Sequence, residues 1–174
     1  MLSRLARFDL DGGVTDVVSG DKCVLEFDTG GAGIAYSWSD GMTPGEISWL
    51  DTTTGQTHHV TTLASDLTSE VALAPTVRLS AIASDGVEVE GWLTLPTDSR
   101  DSPLVLQVHG GPHYPIGERF SFDAQRLAAR GMAVLRSNPR GSHGYGQAFA
   151  DGNLGDWGGR ALEGRLALDD AAGG

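Results

Sequence analysis

The sequence is poor in lysine and in long apolar runs, and both shortages exclude classes of protein. Lys22 is the only lysine, and 12 basic residues stand against 23 acidic ones, so that the net charge is −11. Nucleic acid is therefore not an expected partner, because neutralising phosphates requires clustered lysine and arginine. No apolar run reaches the roughly 18 residues of a membrane span. Residues 1–8 also lack the apolar core of a signal peptide, so the expected location is the cytoplasm.

Cysteine is nearly absent as well, and aspartate strongly outnumbers glutamate among the acidic residues. Cys23 is the single cysteine, which excludes an intrachain disulfide and predicts a small, half-buried core residue. The acidic excess consists of 16 aspartates against only 7 glutamates. Such a surface is expected of a protein adapted to a salt-rich cytoplasm, where net charge maintains solubility. A GC-rich genome also depletes lysine and remains the alternative explanation.

The first 65 residues consist of short β-type segments separated by clusters of turn residues. A strand at 7–10 meets the turn Asp11-Gly12-Gly13, and further strands are predicted at 23–27, 34–38, 46–50 and 58–63. A group of four strands in roughly 40–45 residues has the size of one propeller blade. A single blade cannot bury both of its faces. The segment is therefore either the last blade of a longer array or a small independent meander.

The pattern changes after a connector that ends in Ala74-Pro75. Two alternating runs at 77–83 and 87–95 flank Ser84-Asp85-Gly86, which predicts a hairpin. The apolar run 104–108 is typical of a strand buried in a parallel sheet. A helix is predicted at 120–130 with Gly131 beyond its end, followed by a strand at 132–135. This order indicates the beginning of an α/β sheet.

A glycine pair follows the apolar strand directly, in His109-Gly110-Gly111-Pro112-His113. Glycines have no Cβ, so backbone N–H groups at such a position can approach a ligand closely. In α/β-hydrolases the loop after this strand supplies one of the two donors of the oxyanion hole. Taken alone, the glycine pair fits a simple turn equally well.

Two further motifs follow in order, and together the three resemble a known family. They are Asn138-Pro139-Arg140-Gly141-Ser142-His143-Gly144-Tyr145-Gly146 and Gly155-Asp156-Trp157-Gly158-Gly159-Arg160. The trio is similar to the acylaminoacyl-peptidase and dipeptidyl-peptidase-like branch of the prolyl oligopeptidase family of serine peptidases. The resemblance covers about residues 4–160. It implies a mixed fold, with about one blade of a β-propeller followed by the N-terminal part of an α/β-hydrolase sheet. The implied domains are 1–66 for the propeller end, 67–76 for the connector and 77–174 for an incomplete hydrolase domain.

The resemblance also implies roles for individual residues. The backbone amides of Gly110 and Gly111 are the candidate oxyanion-hole donors. His109 stands where the dipeptidyl-peptidase branch has a tyrosine, which makes it a site-lining residue and not a general base. Arg140 is expected to tie down its glycine-rich loop, and Asp156 and Trp157 are expected to pack and to order theirs. Short peptides are the implied substrates of the complete enzyme, and no cofactor is implied.

The sequence departs from the family where the nucleophile is expected. The family places its serine in a Gly-x-Ser-x-Gly turn beyond the third motif, and no serine here has glycines at both −2 and +2. Only 14 residues follow Arg160, they include Gly164, which weakens a helix, and they end in Gly-Gly. Nucleophile, acid and base are therefore all missing. The expectation is a chain truncated before the catalytic serine, through a frameshift or an early stop, and inactive alone.

Neither a substitute triad nor a metal site is predicted from the remaining residues. Ser142 and His143 are adjacent on a glycine-rich loop, where neighbouring side chains rarely point at each other, and no third group orients the histidine. His58 and His59 face opposite sides of a strand. His109 and His113 are four residues apart, but the Gly-Gly-Pro between them excludes the helix that a zincin site requires.

Three hypotheses for function follow from the sequence. The first is an inactive part of a serine peptidase, the second a non-catalytic module that binds a peptide or a subunit, and the third part of an esterase of the same fold. Without a neighbouring nucleophile strand, the run 104–108 presents an apolar edge that favours aggregation or pairing. Homo-association along this edge and a complementing C-terminal fragment are thus the expected partners besides peptides.

Overall fold

A computed structural model of the chain describes residues 3–111 and 113–173. The described chain forms two compact units, and each is presented by itself. One unit comprises residues 3–73 with 117–122, and the other comprises residues 74–116 with 123–173. The predicted assignment of domains to 1–66, 67–76 and 77–174 stays a prediction.

The first unit is built from two antiparallel sheets. A hairpin of β1 (Leu5–Phe8) and β2 (Val14–Val18) accompanies a four-stranded meander. The meander consists of β3 (Cys23–Gly30), β4 (Gly33–Ser39), β5 (Glu46–Asp51) and β6 (Thr57–His59), in that spatial order. A common apolar core joins the two sheets, made by Leu5, Val18, Tyr36, Trp38 and Leu50.

Several sequence expectations for this unit need correction. β2 was not predicted, the last strand ends at His59 instead of residue 63, and a short helix α1 (Ser65–Glu70) occupies much of the predicted connector. Within this helix a threonine hydroxyl bonds the backbone, since Thr68 Oγ1 donates to the Ala64 carbonyl at 3.0 Å. Cys23 is fully buried, where half-burial was expected.

Glu46 joins the start of β5 to the segment that leads into α1. Its Oε1 accepts a hydrogen bond from the Ala64 N–H at 2.7 Å, and the Thr61 hydroxyl donates to Oε2. These two bonds, the backbone one first, hold the pKa of the Glu46 carboxyl below its ordinary value. Because the ionised form is the favoured one, its contribution to stability is present above the unfolded-state pKa. It is lost as the pH falls through the lower, folded-state pKa.

We therefore expect Glu46→Gln to destabilise the chain at neutral pH and to have little effect in acid. The melting temperatures of variant and wild type should converge as the pH falls below roughly 4.3, the ordinary glutamate pKa. Thermal unfolding followed by circular dichroism over a pH series measures this. Glu26→Gln, at an exposed glutamate of β3, is the matched control and should follow the wild type throughout. A constant gap between Glu46→Gln and wild type at every pH would contradict the assignment.

The second unit contains a four-stranded mixed sheet. Its strands are β7 (Thr76–Ile82), β8 (Glu88–Thr94), β9 (Leu104–Val108) and β10 (Ala133–Asn138), arranged in the order β7-β8-β10-β9. β9 and β10 are parallel and are connected through helix α2 (Phe122–Ala128), whereas the other neighbours are antiparallel. The predicted hairpin and the strand–helix–strand order are therefore present. β9 lies at an edge of this sheet, with Leu106 and Val108 partly exposed.

Helices follow β10 and cover part of the sheet. They are α3 (Gln147–Ala150), a 3-10 turn (Asp151–Asn153) and α4 (Arg160–Ala171). Gly164, expected to weaken this segment, lies inside α4, where a Cβ would come within 2.9 Å of Val89 Cγ1. The glycine lets the helix approach β8 closely, so that packing outweighs its poor helix propensity. Among the described residues no helix is long and apolar enough to cross a membrane.

Candidate active site

The candidate site lies where the parallel strands β9 and β10 end. Val108 is paired with Ser137, so both strands reach the same edge of the sheet in register. The loops that follow them are the two glycine-rich motifs, which begin at His109 and Asn138. Sheets of this kind bind ligands outside the carboxyl ends of their parallel strands. The pairing thus brings together two motifs that are about 30 residues apart in the sequence.

Gly110 and Gly111 lie on the loop after β9 with exposed backbones. Gly111 has a φ of +138°, and a Cβ there would lie 2.9 Å from the backbone nitrogens of His113 and Tyr114. Only glycine fits this position without moving the loop. Neither glycine N–H donates a hydrogen bond to any described residue. Both amides therefore remain able to bind a ligand. Pro112, the fourth residue of the motif, lies outside the described residues.

His109 joins the two loops by contacting Ser142, a contact that the sequence analysis did not predict. Its Nε2 lies 2.9 Å from Ser142 Oγ, and its Nδ1 lies 2.9 Å from the Gly110 carbonyl oxygen. The Ser142 hydroxyl is fully buried and donates to the Pro139 carbonyl at 2.7 Å. Ser142 is therefore a buried structural hydroxyl and not an accessible nucleophile. His143 instead stacks on His113, with ring centroids 4.8 Å apart.

Arg140 is 4% exposed and lies between two other elements of the unit. Its Nη1 donates to the Arg160 carbonyl at 2.7 Å, and its Nη2 forms an ion pair with Asp85 in the β7–β8 turn. One guanidinium thereby fastens the loop after β10 both to the start of α4 and to the hairpin. Both terminal nitrogens thus contact protein oxygens of neighbouring elements, and the structural role of Arg140 stays a prediction.

A buried polar network holds the loop after β9, and sequence reasoning missed it. Asn138 Oδ1 accepts from the Ile116 N–H at 2.7 Å, and its Nδ2 donates to the Ile116 carbonyl at 2.6 Å. The same Nδ2 donates to the Tyr145 hydroxyl at 2.8 Å, which itself donates to Glu90 Oε2 at 2.5 Å. Burial raises the pKa of Tyr145, so the phenol stays a neutral donor. Glu90 is also ion-paired with Arg78.

Asp156 and Trp157 differ in how well they match the predicted packing and loop-ordering role. Asp156 Oδ2 accepts the Arg160 N–H at 3.1 Å, which satisfies a free donor at the start of α4. A Cβ at Gly159 would lie 2.1 Å from Asp156 Oδ1, so the glycine leaves room for this carboxylate. Trp157 is 75% exposed and does not pack into the core. The packing role predicted for it needs correction, because its ring borders solvent.

No set of three or more His, Cys, Asp or Glu side chains is arranged to hold a metal ion in the part of the chain that the structure describes. His58 and His59 lie on β6, where His59 contacts Trp38 at a centroid distance of 5.8 Å. His59 Nδ1 lies 3.4 Å from Ser48 Oγ. His59 is thus an exposed residue that contacts Trp38 and Ser48.

Comparisons with known proteins agree with the motifs. The sequence profile of the prolyl oligopeptidase family matches residues 118–172. YuxL, an uncharacterized peptidase of Bacillus subtilis (strain 168), is 46% identical over 91 residues, which are 50% of this chain and 14% of the relative. Dipeptidyl aminopeptidase BIII of Pseudoxanthomonas mexicana is 36% identical over 97 residues, which are 51% of this chain and 14% of the relative. The chain thus spans about a seventh of these relatives.

A solved structure extends the similarity to nearly the whole chain. Acylaminoacyl peptidase of Pyrococcus horikoshii, in an orthorhombic crystal form, matches with a TM-score of 0.84 at 25% identity. The match covers 93% of this chain and 26% of that one. With the sheets described above, it confirms the predicted mixed fold of a partial propeller followed by the N-terminal part of an α/β-hydrolase sheet.

Proposed function

The chain belongs to the prolyl oligopeptidase family, and from that premise we propose that it supplies the oxyanion side of a serine-peptidase active site. The complete enzyme hydrolyses short peptides. The observation that carries this proposal is the free backbone amides of Gly110 and Gly111 beyond the end of β9. The names of the relatives, which are peptidases and a dipeptidyl aminopeptidase, support the substrate class.

The proposed chemistry is electrostatic. When a serine attacks a peptide carbonyl, negative charge develops on the carbonyl oxygen, and fixed N–H donors stabilise that charge in the transition state. Backbone amides serve well because the fold orients them before the reaction begins. Asn138 and His109 are positioning residues in this proposal: Asn138 fastens the far end of the loop at Ile116, and His109 fastens its start to Ser142. Neither touches the reacting atoms.

The chain on its own is proposed to be inactive, because its sequence contains no Gly-x-Ser-x-Gly motif. The histidine contact of Ser142 does not replace that motif, since the hydroxyl is fully buried and therefore inaccessible to a substrate. A nucleophile strand beside β9 would bring the missing serine close to Gly110 and Gly111. We propose that a segment of this kind, rather than a second copy of the chain, is the functional neighbour of the β9 edge.

A fluorophosphonate probe, which labels activated serines, tests this proposal. We expect no labelling of the chain alone. We expect labelling and peptide hydrolysis by a chimera in which residues 161–174 are replaced by the YuxL sequence from its counterpart of residue 161 onward, so that a helix equivalent to α4 is retained. A p-nitrophenyl ester assayed beside an acyl-peptide separates peptidase from esterase activity. Labelling of the isolated chain would overturn its proposed inactivity, and a folded chimera that is labelled yet cleaves no peptide would overturn the peptidase function.

The cellular setting forms part of the same proposal. A salt-rich cytoplasm is the proposed location, and the net charge of −11 supports it. Homo-association along β9 is the competing use of that edge, supported by the partial exposure of Leu106 and Val108.

A further inference from the structure

A buried carboxylate lies beside the last residue of β10, at the edge of the sheet where the candidate site is found. Glu90 is 7% exposed and is the direct partner of Asn138 across the antiparallel strands β8 and β10. Residues that are directly opposite in such a pair point to the same face of the sheet. A carboxylate in this position is costly unless it is paired and hydrogen-bonded.

Glu90 contacts a cation through one oxygen and a phenol through the other. Arg78 forms an ion pair with Oε1, and the Tyr145 hydroxyl donates to Oε2 at 2.5 Å. Such contacts offset the cost of burial, but well-packed apolar side chains often stabilise a fold as much as a buried ion pair does. A carboxylate has an effect that apolar side chains lack, because it dictates the direction of its neighbours' hydrogen bonds.

This direction can be followed from Glu90 to the loop after β9. A phenol has one proton, and an ion-paired carboxylate only accepts. With its proton donated to Glu90, the Tyr145 oxygen presents lone pairs to Asn138 and accepts an Nδ2–H at 2.8 Å. This contact leaves Asn138 Oδ1 and the second Nδ2–H for the loop. Ile116 matches both groups, since its N–H donates to Oδ1 and its carbonyl accepts from Nδ2.

We propose that Glu90 and Tyr145 are positioning residues that orient Asn138 and thereby hold the loop of the glycine pair in its active geometry. The inference rests on the proposed function and deepens it by naming what orients the oxyanion side before the reaction begins. Donors that are fixed in advance need no reorganisation in the transition state. Neither residue touches the reacting atoms, so their loss should lower kcat and leave substrate binding unchanged.

Hydrogen exchange of the whole ¹⁵N-labelled chain, followed by NMR, tests the hydrogen-bond relay without any catalysis. Tyr145→Phe leaves one Nδ2–H of the fully buried Asn138 without its acceptor. We expect the Ile116 amide to exchange at least about tenfold faster in this variant. The amide of Leu135, in the middle of β10, should keep its wild-type rate. Tyr36→Phe, the same change at a buried tyrosine of the first unit, is the matched control and should alter neither rate.

Three results of these exchange measurements would overturn the relay. They are an unchanged rate for Ile116, an equal acceleration at Leu135, which would mean general destabilisation, and an equal effect of the control variant. The wild type decides even if Tyr145→Phe fails to fold. Its Tyr145 hydroxyl proton should give a separate resonance, because a proton held by Glu90 exchanges slowly with water. A hydroxyl proton averaged with water would overturn the relay as well.

Kinetics of the chimera with YuxL test whether the relay serves catalysis. Tyr145→Phe should lower kcat for an acyl-peptide by at least about tenfold at unchanged KM, since small misplacements of catalytic groups are costly. Tyr36→Phe should change neither constant. An unchanged kcat, or a rise in KM alone, would overturn the positioning role. A chimera without any hydrolysis would overturn the proposed function and leave the exchange result standing, so the two proposals fail separately.

Discussion

Gly111→Ala in the chimera with YuxL is expected to lower kcat by about 10²–10³-fold, the usual effect of losing one oxyanion-hole donor. Alanine keeps the backbone N–H, so the effect comes from geometry alone. At a φ of +138° the new Cβ would lie 2.9 Å from the backbone nitrogens of His113 and Tyr114. Because the neighbours are backbone atoms, the loop itself has to move, and the amides lose their alignment. Steady-state hydrolysis of an acyl-peptide by both proteins measures the loss.

Gly131→Ala is the matched control for this substitution. Gly131 follows α2, has a φ of +83°, and has open space where a Cβ would be. Alanine should strain the backbone there and cost roughly 1 kcal/mol of stability without changing kcat. If Gly111→Ala raised KM at unchanged kcat, the loop would bind the ground state and not the transition state. That result, or an equal kcat for both variants, would contradict the role given to the loop.

Individual residues of the site could be predicted from the sequence, but the contacts between residues that are distant in the sequence could not. A glycine pair after an apolar strand carries a local signal, because the requirement for glycine resides in the backbone of those residues. The pairing of His109 with Ser142 depends on the parallel register of β9 and β10, which no local pattern specifies. The local sequence around Glu90 gives no indication that this residue contributes to the site. It belongs to a hairpin strand, and in the structure it is buried and contacts Tyr145 and Arg78.

For the fold as well, elements that depend on local interactions could be predicted, whereas elements that depend on long-range packing could not. The β7–β8 hairpin was predictable because its turn residues and its alternation agree. Helix α1 was not, since serine and threonine compete with the backbone for hydrogen bonds and have low helix propensity. α4 is the clearest case: Gly164 lowers its propensity, yet the residue allows contact with Val89. Long-range packing decides such a segment, and a single sequence does not reveal which surface it meets.

Leu168→Ala is accordingly expected to destabilise the second unit by about 2–5 kcal/mol, the range for a buried leucine truncated to alanine. Leu168 is fully buried on α4 and shares a core cluster with Val89, Leu93 and Leu135. Its removal takes away the main apolar anchor of the helix and leaves a cavity against β8. Since whole domains are stable by only about 5–15 kcal/mol, α4 should detach or the unit should melt well below the wild-type temperature.

Leu166→Ala is the control that separates packing from helix propensity, because it makes the same chemical change as Leu168→Ala on the same helix. Leu166 is 53% exposed, and its truncation should change stability by no more than about 0.5 kcal/mol. Urea unfolding of both variants, followed by circular dichroism, measures the difference. Similar losses for the two would mean that α4 does not dock through Leu168. A large loss confined to Leu168→Ala would show that tertiary burial keeps α4 helical despite Gly164.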